Sequence, residues 1–305
     1  MTRLTITRVG PLTTVQDDGR PGMLRHGISG SGPMDRASFE LAGKLAGEGR
    51  GAIEFTASGL GFAVDGPASV GFAGGQFKPA LNGRSLPWPG RATLCAGDEL
   101  NIGPGHSGNY GYVRFGGGMH VPLVMGSQST SSRVNLGGIE GRSLRARDWL
   151  DIGTGAFPAA TDPPEQLVDN DGPVRFIWGI HAELFPHSMR AAMLGARFVI
   201  STRLDRMGVR LDDPEGVFTG SGLLSLVSDA IVPGDIQILG DGSPVVLMRD
   251  HQPTGGYPRI GTVITADLDR FAQLRPGTSI TFQSVAVDHA LQLLRGQRAD
   301  SRPQR

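Results

Sequence analysis

The amino-acid sequence predicts a mostly β fold in two halves, with a few short helices. Three observations carry this reading. The 305 residues include 47 glycines, roughly twice the average share, scattered without a fixed period. Short apolar runs lie between them, which is the pattern of short strands joined by tight turns. A stretch over 154–174 holds Pro158, Pro163, Pro164 and Pro173 with several Asp residues and little periodicity, and it reads as a linker.

The elements follow in order. Residues 60–64, 68–72, 92–95 and 99–102 read as strands, separated by Asp65-Gly66-Pro67, Asn82-Gly83 and Gly97-Asp98. Such pairs supply the positive φ that hairpins demand. Residues 110–115 continue the series up to Gly116-Gly117-Gly118. Pro33 sits where a first-turn proline belongs, followed at helical spacing by Met34, Ala37, Leu41 and Leu45, and this predicts a helix. The second half is predicted to hold a helix at 188–194 and strands at 197–201, 217–219, 235–239, 245–248 and 262–265. Two further helices are expected at 267–274 and 285–294. The expected domains are 1–155, a linker at 156–173, 174–295, and a flexible tail at 296–305. A faint echo links the halves: Arg25-His26-Gly27 with Arg259-Ile260-Gly261, and Met34-Asp35-Arg36 with Leu268-Asp269-Arg270, at one displacement.

Composition removes several function classes. Lys plus Arg equals Asp plus Glu at 29 each, and no basic block marks a nucleic-acid face. Cys95 is the sole cysteine, so an internal disulfide is impossible. The N-terminus alternates polar and apolar residues, and no run approaches the roughly 18 apolar residues of a membrane span. The expected address is cytoplasmic. The seven histidines show no metal-ligand spacing, and no glycine run has the ending or context of a phosphate loop or dinucleotide fingerprint. Residues 127–132 offer hydroxyls without a nucleophile elbow, so an ordered polar loop is expected there.

Two segments carry more polar residues and glycine than a turn requires: 13–22, with Gln16, Asp17, Gly19 and Arg20, and 248–259. The latter holds Arg249, Asp250, His251, Thr254, Gly255, Gly256, Tyr257 and Arg259. In each, an apolar strand runs into charge beside glycines that allow close approach of a ligand. The plain alternatives stand beside this: Asp17 with Arg20 as an ion pair bracing a turn, and Tyr257 as a packing residue. Asp250 and His251, as strand neighbours, would point to opposite faces.

The chain resembles the KipA family, also called allophanate hydrolase subunit 2 or biotin-dependent carboxyltransferase, which includes the C-subunit of prokaryotic 5-oxoprolinase. The resemblance rests on Leu12-Thr13-Thr14-Val15-Gln16-Asp17 with Gly19-Arg20, Gly32-Pro33-Met34-Asp35 and Gly137-Gly138-Ile139-Glu140-Gly141-Arg142. It continues through Asp205-Arg206-Met207-Gly208, Pro233-Gly234 to Asp241-Gly242-Ser243-Pro244, and Thr254-Gly255-Gly256-Tyr257-Pro258. Pro253, Val209, Gly43 and Glu48 depart from the usual residues. The resemblance implies two cyclophilin-like β-barrel halves and pairing with a KipI-type subunit and a third hydrolase subunit. The implied activity is ATP-dependent opening of 5-oxoproline, a small amide, with magnesium accompanying ATP. Its alternatives are carboxyl transfer in a urea carboxylase, with biotin on another chain, and a KipA-like regulatory role that binds a kinase inhibitor. Under the first reading, Arg20, Arg206, Arg249 and Arg259 would stabilise developing charge, and Asp17, Asp250 and His251 would manage protons. Gln16, Thr254, Gly255, Gly256 and Tyr257 would line the site.

Overall fold

The computed structural model describes residues 1–157, 172–220 and 226–300, without the side chains of 298–300. Most of the expected linker and the last five residues lie outside this range. The chain divides into two compact units, Met1–Val168 and Asp169–Arg305. The fold is mostly β, as expected, with a nearly closed barrel, a half-barrel and four short α-helices among the described residues. No helix there is long and apolar enough to cross a membrane.

The first unit holds β1 (Thr2–Val9), β2 (Thr14–Gln16), α1 (Arg36–Ala46), β3 (Ala52–Thr56) and β4 (Leu60–Val64). It continues with β5 (Ala68–Leu81), β6 (Arg84–Ser85), β7 (Gly90–Leu94), β8 (Glu99–Phe115) and β9 (Trp149–Ile152). Its sheet runs β2-β3-β8-β4-β1-β9, with β5 pairing along β8 and carrying β6 and β7 on its other side. The strands expected at 99–102 and 110–115 are the two ends of β8. Its first half pairs with β4 and its second with β3, while β5 accompanies both. Between those ends, Gly103, Pro104 and Gly105 permit an irregular pairing with shifts around Gln76. A Cβ on Gly105 would fall 1.2 Å from the Gln76 carbonyl oxygen, so only glycine lets the two backbones approach.

Alternating residues of these strands fill the core. Phe55, Phe72, Phe77 and Trp88 meet at ring distances of 4.9–6.5 Å, and each such pair adds about 0.5–1.5 kcal/mol beyond area burial.

Helix α1 starts later than Pro33 predicts. The Met34 amide donates to Glu54 Oε2 at 2.8 Å, and the Asp35 amide donates to the Tyr112 hydroxyl at 2.8 Å. Tyr112 in turn donates to Glu54. Those bonds keep the backbone out of the helix until Asp35, whose carboxylate accepts from the Ser38 amide at 2.9 Å and caps the helix. Asp35→Ala is expected to lower stability by about 1 kcal/mol, rising toward about 2 for a buried cap, measurable by urea denaturation.

The second unit holds β10 (Val174–Trp178), α2 (His187–Gly195), β11 (Phe198–Leu204), β12 (Gly208–Asp212), β13 (Asp229–Ala230) and β14 (Asp235–Ile238). Then come β15 (Pro244–Leu247), β16 (Thr254–Gly255), β17 (Arg259–Val263), α3 (Thr265–Ala272), β18 (Ser279–Ile280), β19 (Phe282–Ser284) and α4 (Val287–Asp300). The main sheet runs β18-β11-β12-β15-β14-β17-β10-β19, and β13 pairs with β16 separately. All its described pairings are antiparallel except β10 with β19.

Three expectations change here. Residues 217–219 form a turn, not a strand: the Phe218 amide donates to Asp213 at 3.0 Å. The Phe218 ring is fully buried and stacks with Phe198 at 6.1 Å. An apolar turn residue anchored in the core thus imitates a strand. Helix α4 runs past 294 to Asp300, into the region expected as tail. The internal echo has no common local structure: Met34-Asp35-Arg36 is a helix start, whereas Leu268-Asp269-Arg270 lies inside α3.

Candidate functional site

The two predicted loops fall in different units, and each is held by its own unit. In the first, β2 delivers Gln16 and then Asp17 to the buried segment Ser127–Ser131. Gln16 Nε2 donates to Thr14 Oγ1 at 2.9 Å and to the Thr130 carbonyl at 3.1 Å, while its Oε1 accepts from the Gly32 amide at 3.1 Å. The Asp17 carboxylate accepts from Ser129 Oγ at 2.7 Å, the Gln128 amide at 2.8 Å, the Gly19 amide at 3.0 Å and Ser127 Oγ. Burial alone would raise its pKa, but these four bonds outweigh it and hold the carboxyl below its ordinary value of 3.8. Arg20, also buried, donates to the carbonyls of Val124 at 3.0 Å and Ser129 at 2.6 Å.

This geometry is that of a clamp. Asp17 and Arg20 bind the 124–129 segment from across about a hundred residues of chain. A carboxylate 3% exposed and held by four donors suits fixing a loop better than carrying protons. The ordered polar loop expected at 127–132 is present, and its first five residues are buried.

In the second unit, Asp250 turns to Arg206. Their bidentate pair spans 2.8 and 3.2 Å, with both side chains 6% exposed, and the Asp250 amide also donates to the Arg206 carbonyl at 2.7 Å. Arg249 pairs with Asp269 at 3.1 Å. His251 is buried, with Nδ1 2.6 Å from the Gln252 carbonyl oxygen. Burial lowers its pKa from 6.5, against the opposing pull of that carbonyl and of Asp235 and Asp250, so the ring is neutral at neutral pH. Thr254 and Gly255 form β16 against β13, and the Gly256 carbonyl accepts from the Leu226 amide at 2.6 Å. Arg259 spans Asp229 at 2.7 Å, Asp235 at 3.4 Å and the Ala230 carbonyl at 2.6 Å.

The same unit holds a cleft of about 470 Å³ that borders β11, β12, β14 and β15, within the usual size range for small-molecule sites. Strand alternation explains its lining. Val209, Leu211, Ile236, Ile238 and Val246 enter the core, while the alternate residues Gly208, Arg210, Gln237, Leu239, Val245 and Leu247 border the cleft. Arg203, Asp205, Arg210, Gln237, Gln252 and Tyr257 give it polar character over a floor of Leu239, Val245 and Leu247, with Asp205 accepting from the Met207 and Gly208 amides. Arg210 is oriented by Asp241 at 3.1 Å.

The model of the carboxyltransferase domain, subdomain A and B, matches residues 26–284 of this chain. The protein belongs to the carboxyltransferase-domain family. Over 96% of this chain and 95% of the relative, it is 32% identical to the 5-oxoprolinase C-subunit of Escherichia coli strain K12. Identity to the 5-oxoprolinase C-subunit of Haemophilus influenzae is 31% over 92% of this chain and 91% of that one. The crystal structure of the K. lactis urea amidolyase superimposes with a TM-score of 0.86 at 26% identity. That match covers 98% of this carboxyltransferase domain but 20% of the urea amidolyase chain, so the protein corresponds to about a fifth of that enzyme.

Of the residues given a role in the site from sequence, Tyr257 borders the cleft, and so do Asp205, Met207 and Gly208 of the quoted motif. Arg206 and His251 are chain neighbours of lining residues, Asp250 pairs with Arg206, and Arg259 lies opposite Gln237 in register. The sequence reading assigned no role to Arg203, Arg210 or Gln237, and none to Gln252 although it lies within 248–259. One signal was available: Gln237 is a carboxamide set between Ile236 and Ile238 in a strand whose neighbours are apolar.

Proposed function

We propose that this protein acts as the C-subunit of an ATP-dependent 5-oxoprolinase, assembled with a KipI-type subunit and a third hydrolase subunit. The observation that carries this reading is the end-to-end correspondence with the E. coli 5-oxoprolinase C-subunit, which spans nearly the whole of both chains. The cleft supports it chemically. 5-Oxoproline carries a carboxylate and a lactam amide; Arg203 and Arg210 offer cations to the first. Gln237, Gln252 and the Tyr257 hydroxyl offer donors and acceptors to the second.

The net reaction converts 5-oxoproline, ATP and two waters to glutamate, ADP and phosphate. Among the described residues no group of three His, Cys, Asp or Glu side chains converges to hold a metal ion. This reading assigns the nucleotide with its magnesium to the partner subunits, and this chain's part is to bind and orient the amide. A second reading is carboxyl transfer to a urea-like nitrogen, with biotin on another chain; the urea amidolyase likeness supports it.

The test is an assay of the purified chain, alone and with its partner subunits, for glutamate release from 5-oxoproline and ATP. Negligible turnover alone and recovery with partners is the expected result. Turnover of urea with carboxybiotin, and none of 5-oxoproline, would move the assignment to the second reading. Full turnover by the chain alone, with mass spectrometry excluding a contaminating partner, would overturn the partnership.

A further inference from the structure

Gln237 sits in β14 with 2% of its surface exposed, and its side chain borders the cleft. Its Nε2 is buried and has no hydrogen-bond partner among the described residues. A buried polar group left unmatched disfavours the folded state unless something completes it. The immediate surroundings show why the carboxamide sits there. A Cβ on Gly255 would lie 2.4 Å from Nε2 and 3.2 Å from Ile231 Cδ1, so Gly255 leaves just the space that the amide occupies. Gly255 itself is fixed by its pairing opposite Asp229. The terminal torsion of glutamine is soft, so a modest rotation turns the buried amide toward the cleft without moving the strand.

Resting on the 5-oxoprolinase reading, we infer that Gln237 is a specificity-determining residue that reads the edge of a cis amide in the cleft. A lactam holds its N–H and C=O on the same side of the C–N bond. A carboxamide is the complementary partner: its N–H donates to the lactam oxygen while its oxygen accepts from the lactam N–H. Arg203 and Arg210 remain for the carboxylate. The pair discriminates by polarity on both atoms, so it rejects a ring lacking either group, since the buried amide would again be unmatched. Urea presents the same edge, whereas proline lacks the carbonyl and an N-methylated lactam lacks the donor.

The test uses the full chain with its partner subunits and the variants Gln237→Met and Gly255→Ala, the second displacing the amide without changing any polar group. Gln237→Met is expected to raise the KM for 5-oxoproline roughly tenfold or more, with kcat changed much less. Its melting temperature should stay equal or rise, because an unmatched amide is replaced by an apolar chain of similar shape. Gly255→Ala should raise KM in the same direction, and N-methyl-5-oxoproline should bind wild type and Gln237→Met alike. A KM within twofold of wild type for Gln237→Met, or a lowered melting temperature with KM unchanged, overturns the inference while 5-oxoprolinase activity stands. If the wild-type assembly does not open 5-oxoproline, the functional reading fails instead, and urea binding decides the role of Gln237. Loss of urea binding in Gln237→Met sustains it; unchanged binding, or no binding of either amide by wild type, overturns it.

Discussion

Arg206→Met is expected to destabilise the second unit by about 3–5 kcal/mol, the usual cost of removing one partner from a buried ion pair. Asp250 is 5% exposed and loses both guanidinium contacts at once. Its carboxylate then has to stay charged in a poorly solvated place or take up a proton, and either outcome weakens the fold. The neighbouring backbone is tied to the same pair, since the Asp250 amide bonds the Arg206 carbonyl and the Met248 amide bonds the Met207 carbonyl. The effect should therefore appear as faster hydrogen exchange in Gly208–Asp212 and Pro244–Leu247 as well as a lower denaturation midpoint. The double variant Arg206→Met with Asp250→Leu should recover most of the loss, because the desolvation cost of both charges goes with them. A loss below about 1 kcal/mol for the single variant, within the range of an exposed pair, would show that the pair is not structural.

Asp17→Asn should cost the first unit about 3 kcal/mol or more, because several charge-assisted bonds are weakened together. An asparagine keeps one acceptor oxygen, but its NH₂ meets donors, among them the Gln128 amide or Ser127 Oγ. The loss has a defined pH dependence. The folded-state pKa of Asp17 lies below the ordinary 3.8. Its ionised form therefore stabilises the fold fully above that ordinary value, and the benefit disappears as pH falls through the lower folded value. The stability gap between wild type and Asp17→Asn should be constant from neutral pH down to about pH 4 and close in stronger acid. Denaturation curves at stepped pH measure it. A gap that widens in acid would rule out an ionised, loop-fixing Asp17.

Legibility differed between elements for physical reasons. The strand at Leu60–Val64 was visible because its bounding turns and apolar run are local features. Helix α1 was visible by spacing, but its first residue was set by Glu54 and Tyr112, far along the chain. Strand β8 was legible as two runs, 99–102 and 110–115, because only the pairing with β5 gives the glycine-bearing stretch between them a partner. Phe218 read as strand because burial of a ring leaves the same trace in sequence whether the backbone is extended or turning.

The candidate site divides along the same line. The sequence by itself determined a mostly β protein, the glycine-rich loops beside charge, and the family to which their order belongs. It also marked Arg206, Asp250 and Arg259 as notable, because a charge next to an apolar strand is a local fact. Tertiary structure alone decided that Arg206 pairs with Asp250 and Arg259 with Asp229 and Asp235, and that Arg203, Arg210, Gln237 and Gln252 border the cleft. Partners for a buried charge, and neighbours across a cleft, are chosen by strand order. Here β12 lies beside β15 and β15 beside β14, so residues up to about fifty positions apart become adjacent through pairings that no local pattern encodes.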